Sequence, residues 1–185
     1  MDIKLHTPLE ESEIINLKAG DSVLLSGTIY TARDAAHKRL IDLLDEGKDL
    51  PLNIQGETIY YVGPTPAKPG KVIGSAGPTT SYRMDAYAPT LMDLGLKGMI
   101  GKGDRNSIVI ETIKRNKCVY FGAIGGAAAL IGRSIVKSEI IAYEDLGSEA
   151  IRKMEVKDLP LVVIIDSNGN NLYDIGKSEY LASLE

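Results

Sequence analysis

The chain has 185 residues, of which 44% are hydrophobic and 25% are charged, and this balance predicts one compact domain, residues 1–185, rather than two. Lys and Arg number 21 against 25 for Asp and Glu, so the chain lacks the excess of cations that general nucleic-acid binding requires. The single cysteine, Cys118, excludes an internal disulfide, a multi-cysteine zinc site and an iron–sulfur cluster held by this chain alone.

The histidine count and the hydropathy pattern bear on metal binding and on cellular location. Only His6 and His37 supply imidazoles, so no metal site is expected in this chain. The first fourteen residues carry neither a basic nor an apolar region typical of a secretion signal, and the longest aliphatic stretch, residues 161–165, is too short to span a bilayer. We therefore expect a cytoplasmic protein.

The first predicted unit is a strand followed by a helix. Residues 21–31 are rich in β-branched and apolar side chains, which favours a strand. In residues 32–47 the apolar side chains recur at helical spacing, with Thr31 as the expected N-cap and Gly47 after the last apolar residue. Arg33 and His37 then lie one helical turn apart.

The middle of the chain repeats this order with more turns. Residues 57–63 predict a strand, which enters a stiff proline-rich connection. Residues 71–95 predict another strand, a turn of Gly, Pro and Thr, and a short helix interrupted near Pro89. Residues 97–116 predict a short strand, a lysine between two glycines, and a helix.

The last third continues the pattern. Residues 117–135 predict a strand, a glycine-rich turn and a helix of small residues, and residues 136–147 predict a strand. Residues 159–176 predict a hairpin around Asn168-Gly169. The fold class is therefore mixed α/β, in which several strands end in turns that open helices. Such turns expose backbone N–H groups and the positive end of a helix dipole, which favour carboxylates and phosphates.

Cations and hydroxyls cluster at these turns and predict an anion pocket. An arginine offers a rigid bidentate fork to a carboxylate and a lysine acts more as a point charge, so two arginines and a lysine could hold a dicarboxylate at both ends. Lys102 stands between Gly101 and Gly103, which allow close approach of the backbone to a ligand. The polar residues at the turns are Thr31, Arg33 and His37, then Thr79, Thr80 and Arg83, then Lys102 and Arg105, beside the glycines of residues 122–130.

Each of these residues also has a structural interpretation. Arg33 and Arg83 could be ordinary surface residues, and Thr79 could cap the helix that follows. His37 on a helix face is more often packed and hydrogen-bonded than catalytic, and Cys118 in an apolar strand is expected to be buried. The motif GAIGGAAAL lacks the spacing of a dinucleotide fingerprint, so NAD binding is not predicted.

Four motifs in order, over nearly the whole chain, resemble one family. They are LSGTIYTARDAAHKR, GPTTSYRMD, GMIGKGDR and YFGAIGGAAAL. In these motifs the chain resembles the β-subunit, or carboxy-terminal domain, of class I iron–sulfur fumarases and L-tartrate dehydratases. The resemblance implies a swivelling β/β/α domain with a mixed sheet.

The resemblance also implies a reaction and a division of labour. The family reversibly dehydrates a 2-hydroxydicarboxylate, such as malate to fumarate, at a [4Fe–4S] cluster. The cluster is carried by three cysteines of an α-subunit and has one iron open to act as a Lewis acid, which fits the lone Cys118 here. The implied assembly is a hetero-oligomer, α2β2, that is active only with the α-subunit, and the implied partners include neither nucleic acid nor membrane.

Site residues are carried over from the motifs one by one. Arg33, Arg83 and Lys102 match substrate-binding positions, and Thr79 matches the proposed base, with Lys102 also catalytic. Asp34, His37, Thr80 and Arg105 form a second tier of neighbours within the same motifs.

Three further interpretations stay open beside a malate or fumarate enzyme. One is the β-subunit of an L-tartrate dehydratase. Another is a non-enzymatic dicarboxylate-binding or regulatory module, because no complete catalytic set exists in this chain. The third is a lid or assembly domain with a purely structural role.

Overall fold

The computed structural model describes residues 2–123 and 128–184, and within them the protein is mixed α/β. No helix in these ranges is long and apolar enough to cross a membrane. The strands in these ranges are β1 (Ile3–His6), β2 (Ser22–Thr31), β3 (Thr58–Tyr60), β4 (Gly98–Gly101), β5 (Val119–Ala123), β6 (Ile135–Ala142) and β7 (Ile151–Ile165). The helices are α1 (Glu11–Ile14), α2 (Asp34–Asp45), α3 (Ala88–Asp93), α4 (Ser107–Asn116), α5 (Ala128–Ser134) and α6 (Leu172–Ala182), with 3₁₀ segments at Ser81–Met84 and Glu144–Glu149.

The strands form one mixed sheet that closes on itself. β1 to β5 pair in order and in parallel, and β7 pairs antiparallel with both β5 and β2, which joins the two sides of the sheet. β6 pairs antiparallel with the first residues of β7, on the side opposite β2. This closed mixed sheet confirms the swivelling β/β/α architecture.

Two hydrophobic clusters fill the molecule. One gathers buried side chains of β2, β5 and β7, such as Leu25, Phe121 and Val163. The other joins the opposite face of the strands to α2, α3 and α4, and includes Tyr61, Tyr120 and helix residues such as Leu40. Because neighbouring residues of a strand point to opposite faces, each strand supplies both clusters.

The helix that follows β2 begins and ends as its sequence dictates, with one difference. Ala36 and Leu40 are buried, and Gly47 takes a positive φ of 66° just past the helix end, where a side chain would be strained. The prediction that Thr31 caps the helix is wrong, because α2 begins at Asp34 after Arg33. The Thr31 hydroxyl instead donates to Ala150 O and accepts from Arg152 N, which ties β2 to the start of β7.

Two of the strands predicted from the sequence do not form. Residues 71–77 form no strand, and their exposed Lys71 and Val72 bury no apolar face. The turn at Asn168-Gly169 exists, with Gly169 at a φ of 83°, but it leads into α6 rather than into a second strand of a hairpin.

The predictions for Pro89 and Cys118 have different outcomes. Pro89 lies in the first turn of α3, where its missing N–H costs nothing, and does not interrupt that helix. Cys118 is buried, as expected. The glycines at 125 and 126 of the fourth motif lie outside the described residues. Neither β1 nor α1 was anticipated from the sequence.

Candidate functional site

The carboxyl ends of three parallel strands define the candidate site. The ladder continues past the strands, since Ala32 N donates to Tyr60 O at 3.2 Å and Tyr61 N donates to Ile100 O at 2.8 Å. Arg33 therefore follows β2 and Lys102 follows β4 at the same edge of the sheet. Ligands of α/β proteins bind at this edge, where turns rather than strands meet the solvent.

The segment that contains Thr79 and Thr80 lies between the carboxyl ends of β3 and β4. Thr79 N donates to Tyr61 O at 2.7 Å, and Thr80 forms a parallel bridge with Lys102. Thr79 and Thr80 are both half-buried. The fold thus brings Thr80 beside Lys102, and Thr79 beside Tyr61, although about 20 residues separate the members of each pair along the chain.

Neither threonine hydroxyl serves the helix that follows. The 3₁₀ segment Ser81–Met84 begins after Thr80, whose side chain makes no capping bond. The structure therefore does not support the interpretation of Thr79 as a helix cap, and its hydroxyl is left for another role.

Lys102 and Arg83 are the two exposed cations among the residues predicted to bind substrate. Within the described part of the chain, neither has a carboxylate oxygen within 4.0 Å. Their charge is thus available to an anion.

Arg33, in contrast, already contacts carboxylates. Its Nη2 atom lies 3.1 Å from Glu149 Oε1 and 3.7 Å from Asp34 Oδ1. The other Glu149 oxygen accepts a hydrogen bond from Ala35 N, at the start of α2, at 3.3 Å. Arg33 also lies against Gly63, where an added Cβ would lie 3.0 Å from Nη1, so the guanidinium depends on a glycine there.

Arg105 is buried rather than exposed to a ligand. Its Nε donates to Asp85 Oδ1 at 2.6 Å, and its side chain is fully buried. The guanidinium carbon lies 5.4 Å from the Tyr61 ring centroid and 5.1 Å from that of Tyr120, within cation–π range of both. Arg105 is therefore packed between Asp85 and two tyrosine rings beneath the lysine turn.

His37 is packed behind Arg33. Its Nδ1 lies 2.9 Å from Arg33 O, and its ring meets Tyr61 edge-on at 5.4 Å between centroids. Burial lowers the pKa of His37 to about 4, so the imidazole is neutral near pH 7. Because the Arg33 carbonyl can only accept, Nδ1 carries the proton. Asp34, the first residue of α2, remains partly exposed beside Arg33.

Four predicted residues lie at this edge of the sheet: Arg33 and Lys102 follow β2 and β4, and Thr79 and Thr80 pair with the chain at the ends of β3 and β4. His37 and Arg105 pack against the same ring of Tyr61. Sequence reasoning missed Ser81, Asp85, Tyr120 and Glu149. Asp85 is the acidic residue of the second motif and could have been noticed there, but Glu149 is more than 100 residues from Arg33 and carries no local signal.

The residues of this chain do not fit an iron–sulfur cluster. Cys118 precedes β5 at the amino edge of the parallel strands, opposite the site, and its Sγ donates to Leu96 O. Burial raises the pKa of this thiol to about 12, whereas a cluster ligand is a thiolate. The described residues also contain no group of three or more His, Cys, Asp or Glu side chains that could hold a metal ion.

Comparison with known proteins identifies the family of this chain. Residues 1–176 match the family described as Fumarase C-terminus. The chain is 38% identical to "Fumarate hydratase class I, anaerobic" of Escherichia coli K12 over 175 residues. This matched region is 92% of this chain but 32% of that protein. "Fumarate hydratase 2" of Leishmania major is 34% identical over 94% of this chain and 31% of its own length.

A shorter relative matches from end to end. "Putative L(+)-tartrate dehydratase subunit beta" of Methanocaldococcus jannaschii is 36% identical over 179 residues, which are 93% of this chain and 92% of that protein. The chain thus spans about a third of the fumarate hydratases that it matches and nearly all of this subunit. The chain belongs to the fumarase C-terminus family.

Proposed function

We propose that this chain, as a single domain, is the β-subunit of an iron–sulfur hydro-lyase that reversibly hydrates an unsaturated dicarboxylate to a 2-hydroxydicarboxylate, with fumarate and malate as the first candidates. Its role is to bind the substrate carboxylates and to transfer a proton. The observation that carries the proposal is the bridge between Thr80 and Lys102 at the carboxyl edge of the sheet, which places the segment of Thr79 and Arg83 beside the lysine turn.

The charges of this edge suit a dianion. Lys102 and Arg83 are exposed, and Arg33 follows the end of β2, which pairs with β3. An arginine binds a carboxylate bidentately and a lysine adds a point charge, so the three can engage both ends of a dicarboxylate. The same cations would stabilise the negative charge that builds on a carboxylate when the adjacent carbon loses its proton.

Thr79 is the candidate proton-transfer group. A free hydroxyl has a pKa far above neutrality, and an efficient general base has a pKa near the working pH. The exposed cations Lys102 and Arg83 supply the electropositive setting in which the Thr79 hydroxyl would first lose its own proton, so that the resulting alkoxide could accept the proton from the substrate carbon. In the hydration direction, the Thr79 hydroxyl would donate its proton to one alkene carbon and regain a proton from the water molecule whose hydroxide adds to the other carbon.

The chain does not hold the rest of the reaction centre. Its one thiol lies at the opposite edge of the sheet and is buried, so the proposal places the [4Fe–4S] cluster on an α-subunit, in an assembly such as α2β2. The end-to-end match to a protein named as a β-subunit supports a separate partner chain. The proposed activity therefore needs that partner.

Anaerobic coexpression with a cluster-bearing α-subunit tests the proposal. We expect the purified complex to consume fumarate, followed by its absorbance, and we expect neither chain to do so alone. The Thr79→Val and Lys102→Ala variants of the complex should each lose most activity while retaining the cluster absorbance. Full hydration by the isolated, iron-free chain would contradict the proposal.

The substrate itself is a second question for the same complex. The relatives include both fumarate hydratases and a tartrate dehydratase subunit, so L-tartrate is the alternative substrate. A difference of one hydroxyl or methylene group is worth a few kcal/mol, about 1–3, and depends on pocket shape. Comparing kcat/KM for malate, tartrate and methyl-substituted analogues in one complex decides between them.

A non-enzymatic dicarboxylate-binding module is the remaining candidate, because the chain lacks a complete catalytic set. Calorimetry on the purified chain separates it from a half-site. Micromolar binding of malate or fumarate without any partner would favour the module. Weak binding by the chain alone, together with tight binding by the complex, would favour the β-subunit.

A further inference from the structure

Two short segments carry most of the candidate site, and the structure joins them at two places. One segment, residues 79–85, contains Thr79 and Arg83. The other, residues 101–106, contains Lys102. They belong to different connections of the sheet, so nothing in the covalent chain fixes the distance between the Thr79 hydroxyl and the Lys102 side chain.

The first junction is formed by Ser81. Its backbone N donates to Lys102 O at 2.9 Å, and its hydroxyl accepts from Lys102 N at 3.1 Å. Tyr120 Oη lies 2.8 Å from Ser81 Oγ and 2.9 Å from Gly103 O. A carbonyl can only accept, so Tyr120 donates to Gly103 O and the Ser81 hydroxyl donates to Tyr120. Each proton in this hydrogen-bond network has one acceptor, and both the backbone N–H and the backbone C=O of Lys102 are hydrogen-bonded to Ser81.

The second junction is the buried ion pair of Asp85 and Arg105. One Asp85 oxygen accepts from Arg105 Nε at 2.6 Å, and the other accepts from Asn106 N at 2.7 Å, so a single carboxylate binds two consecutive residues of the second segment. The exposed fraction is 0% for the Arg105 side chain and 7% for that of Asp85. Tyr61 and Tyr120 hold the guanidinium by cation–π contacts.

Stability alone is a poor reason for such a pair. Desolvation of two charges offsets most of their attraction, and apolar residues of the same volume often stabilise a core equally well. What the pair provides is geometry, because charge-assisted bonds with defined directions fix the two segments to each other. An error of about 1 Å between reacting groups can cost on the order of 100-fold in rate.

We propose that Asp85, through Arg105 and assisted by Ser81, is a positioning residue that sets the distance between Thr79 and Lys102 in the proposed hydro-lyase site. The inference rests on the proposed function. Asp85 touches no substrate, and its effect on the reaction passes through the turn that carries Lys102.

A matched pair of variants tests this role. Asp85→Asn breaks the buried pair, and Asp93→Asn breaks an ion pair with Arg115, at 2.7 Å, that links α3 to α4 away from the site. Both are made in the complex with the cluster-bearing partner, and kcat is expressed per folded molecule, measured by circular dichroism well below the unfolding temperature.

We expect Asp85→Asn to lower kcat about 10- to 100-fold and to raise KM about threefold or more, because it displaces both a substrate-binding and a proton-transfer group. Asp93→Asn should keep both constants within about twofold of wild type. A purely structural role would lower only the folded fraction and leave KM unchanged. Equal KM and equal kcat per folded molecule in the two variants would overturn the inference.

Hydrogen exchange supplies a readout that needs no activity. In the isolated full chain, Asp85→Asn should speed exchange of the amides in residues 101–106, and Asp93→Asn should not; unchanged exchange in Asp85→Asn would overturn the inference. If Asp85→Asn does not fold, Ser81→Ala takes its place, with a fall of about 3- to 10-fold in kcat/KM expected and a wild-type value counting against the role. An inactive wild-type complex would instead contradict the proposed function.

Discussion

The Glu149 carboxylate bridges the Arg33 guanidinium and the amino end of α2, at 3.1 Å from Arg33 Nη2 and 3.3 Å from Ala35 N. It lies beside Arg33 Nη2, one of the nitrogens through which Arg33 would bind the carboxylate of a ligand. With Asp34 nearby, the charge of Arg33 is already balanced in this structure. A dianion that approaches Arg33 therefore competes with a carboxylate of the protein itself.

The first prediction concerns this competition. Glu149→Gln keeps an oxygen for Ala35 N but removes the negative charge beside Arg33. For a pair of this exposure the charge is worth about 1 kcal/mol, so we expect KM for the dicarboxylate to fall about fivefold in the active complex, and the gain to shrink at high salt. Asp145→Asn, in the same 3₁₀ segment, is the control, because Asp145 pairs with Arg39 instead. An increase in KM would mean that Glu149 orients Arg33 rather than masks it.

The second prediction concerns Arg83, an exposed cation that follows the threonines. Arg83→Ala should lower kcat/KM by about 2–4 kcal/mol in transition-state free energy, the usual loss for a preorganised charge. Steady-state kinetics on the complex measures it. Arg115→Ala, which removes an exposed arginine of α4, should leave kcat/KM unchanged; an unchanged rate in Arg83→Ala would remove Arg83 from the site.

The sequence predicted those parts of the fold that local pattern controls. Residues 21–47 have consecutive strand and helix periodicity, and β2 and α2 form there, with Arg33 and His37 one turn apart. The closure of the sheet by β7 is set by pairing across more than 100 residues, and no periodicity reports it. Only the resemblance of the motifs supplied that topology.

The errors have the same physical cause. Asn168-Gly169 marks a turn equally well before a helix and before a strand, and the turn here leads into α6. At the candidate site, the motifs predict roles for Thr79, Arg83 and Lys102, because each stands next to a strand end or a turn. They could not identify Glu149 or the Asp85–Arg105 pair, since those contacts exist only after the chain has folded.

The third prediction concerns acid stability. Burial lowers the pKa of His37 to about 4, against 6.5 for an unburied histidine. The unfolded chain therefore binds this proton more tightly, so the stabilisation by neutral His37 is complete above pH 6.5 and is lost as the pH falls towards 4. At 1.36 kcal/mol per pH unit, this interval corresponds to about 3 kcal/mol.

Urea unfolding at pH 7.5 and pH 4.5 measures this contribution. The fall in the free energy of unfolding between the two pH values should be smaller in His37→Gln than in wild type by about 2–3 kcal/mol. His6→Gln, at an exposed histidine, should lose as much stability as wild type does. An equal loss in His37→Gln and wild type would show that His37 is not the titrating group.

The fourth prediction concerns the close approach at the end of β4. A side chain at Gly101 would overlap Ser81 Oγ, and its Cβ would lie 2.9 Å from Cδ2 of the Tyr61 ring. Gly101→Ala should therefore lower the free energy of unfolding by about 1–3 kcal/mol, because the added methyl group must displace the Ser81 junction. Gly176→Ala, in α6 with no atom within 4 Å of the added carbon, should be neutral or slightly stabilising.

A double variant locates the cause of the Gly101 effect. Ser81→Ala removes the hydroxyl oxygen that the new methyl group meets first, so adding it to Gly101→Ala should recover part of the lost stability, although Ser81→Ala alone costs stability through its hydrogen bonds. Urea unfolding of both single variants and of the double variant gives the coupling. Strictly additive losses would mean that the strain is taken up elsewhere, and a Gly101→Ala protein as stable as Gly176→Ala would show that the two segments do not pack this closely.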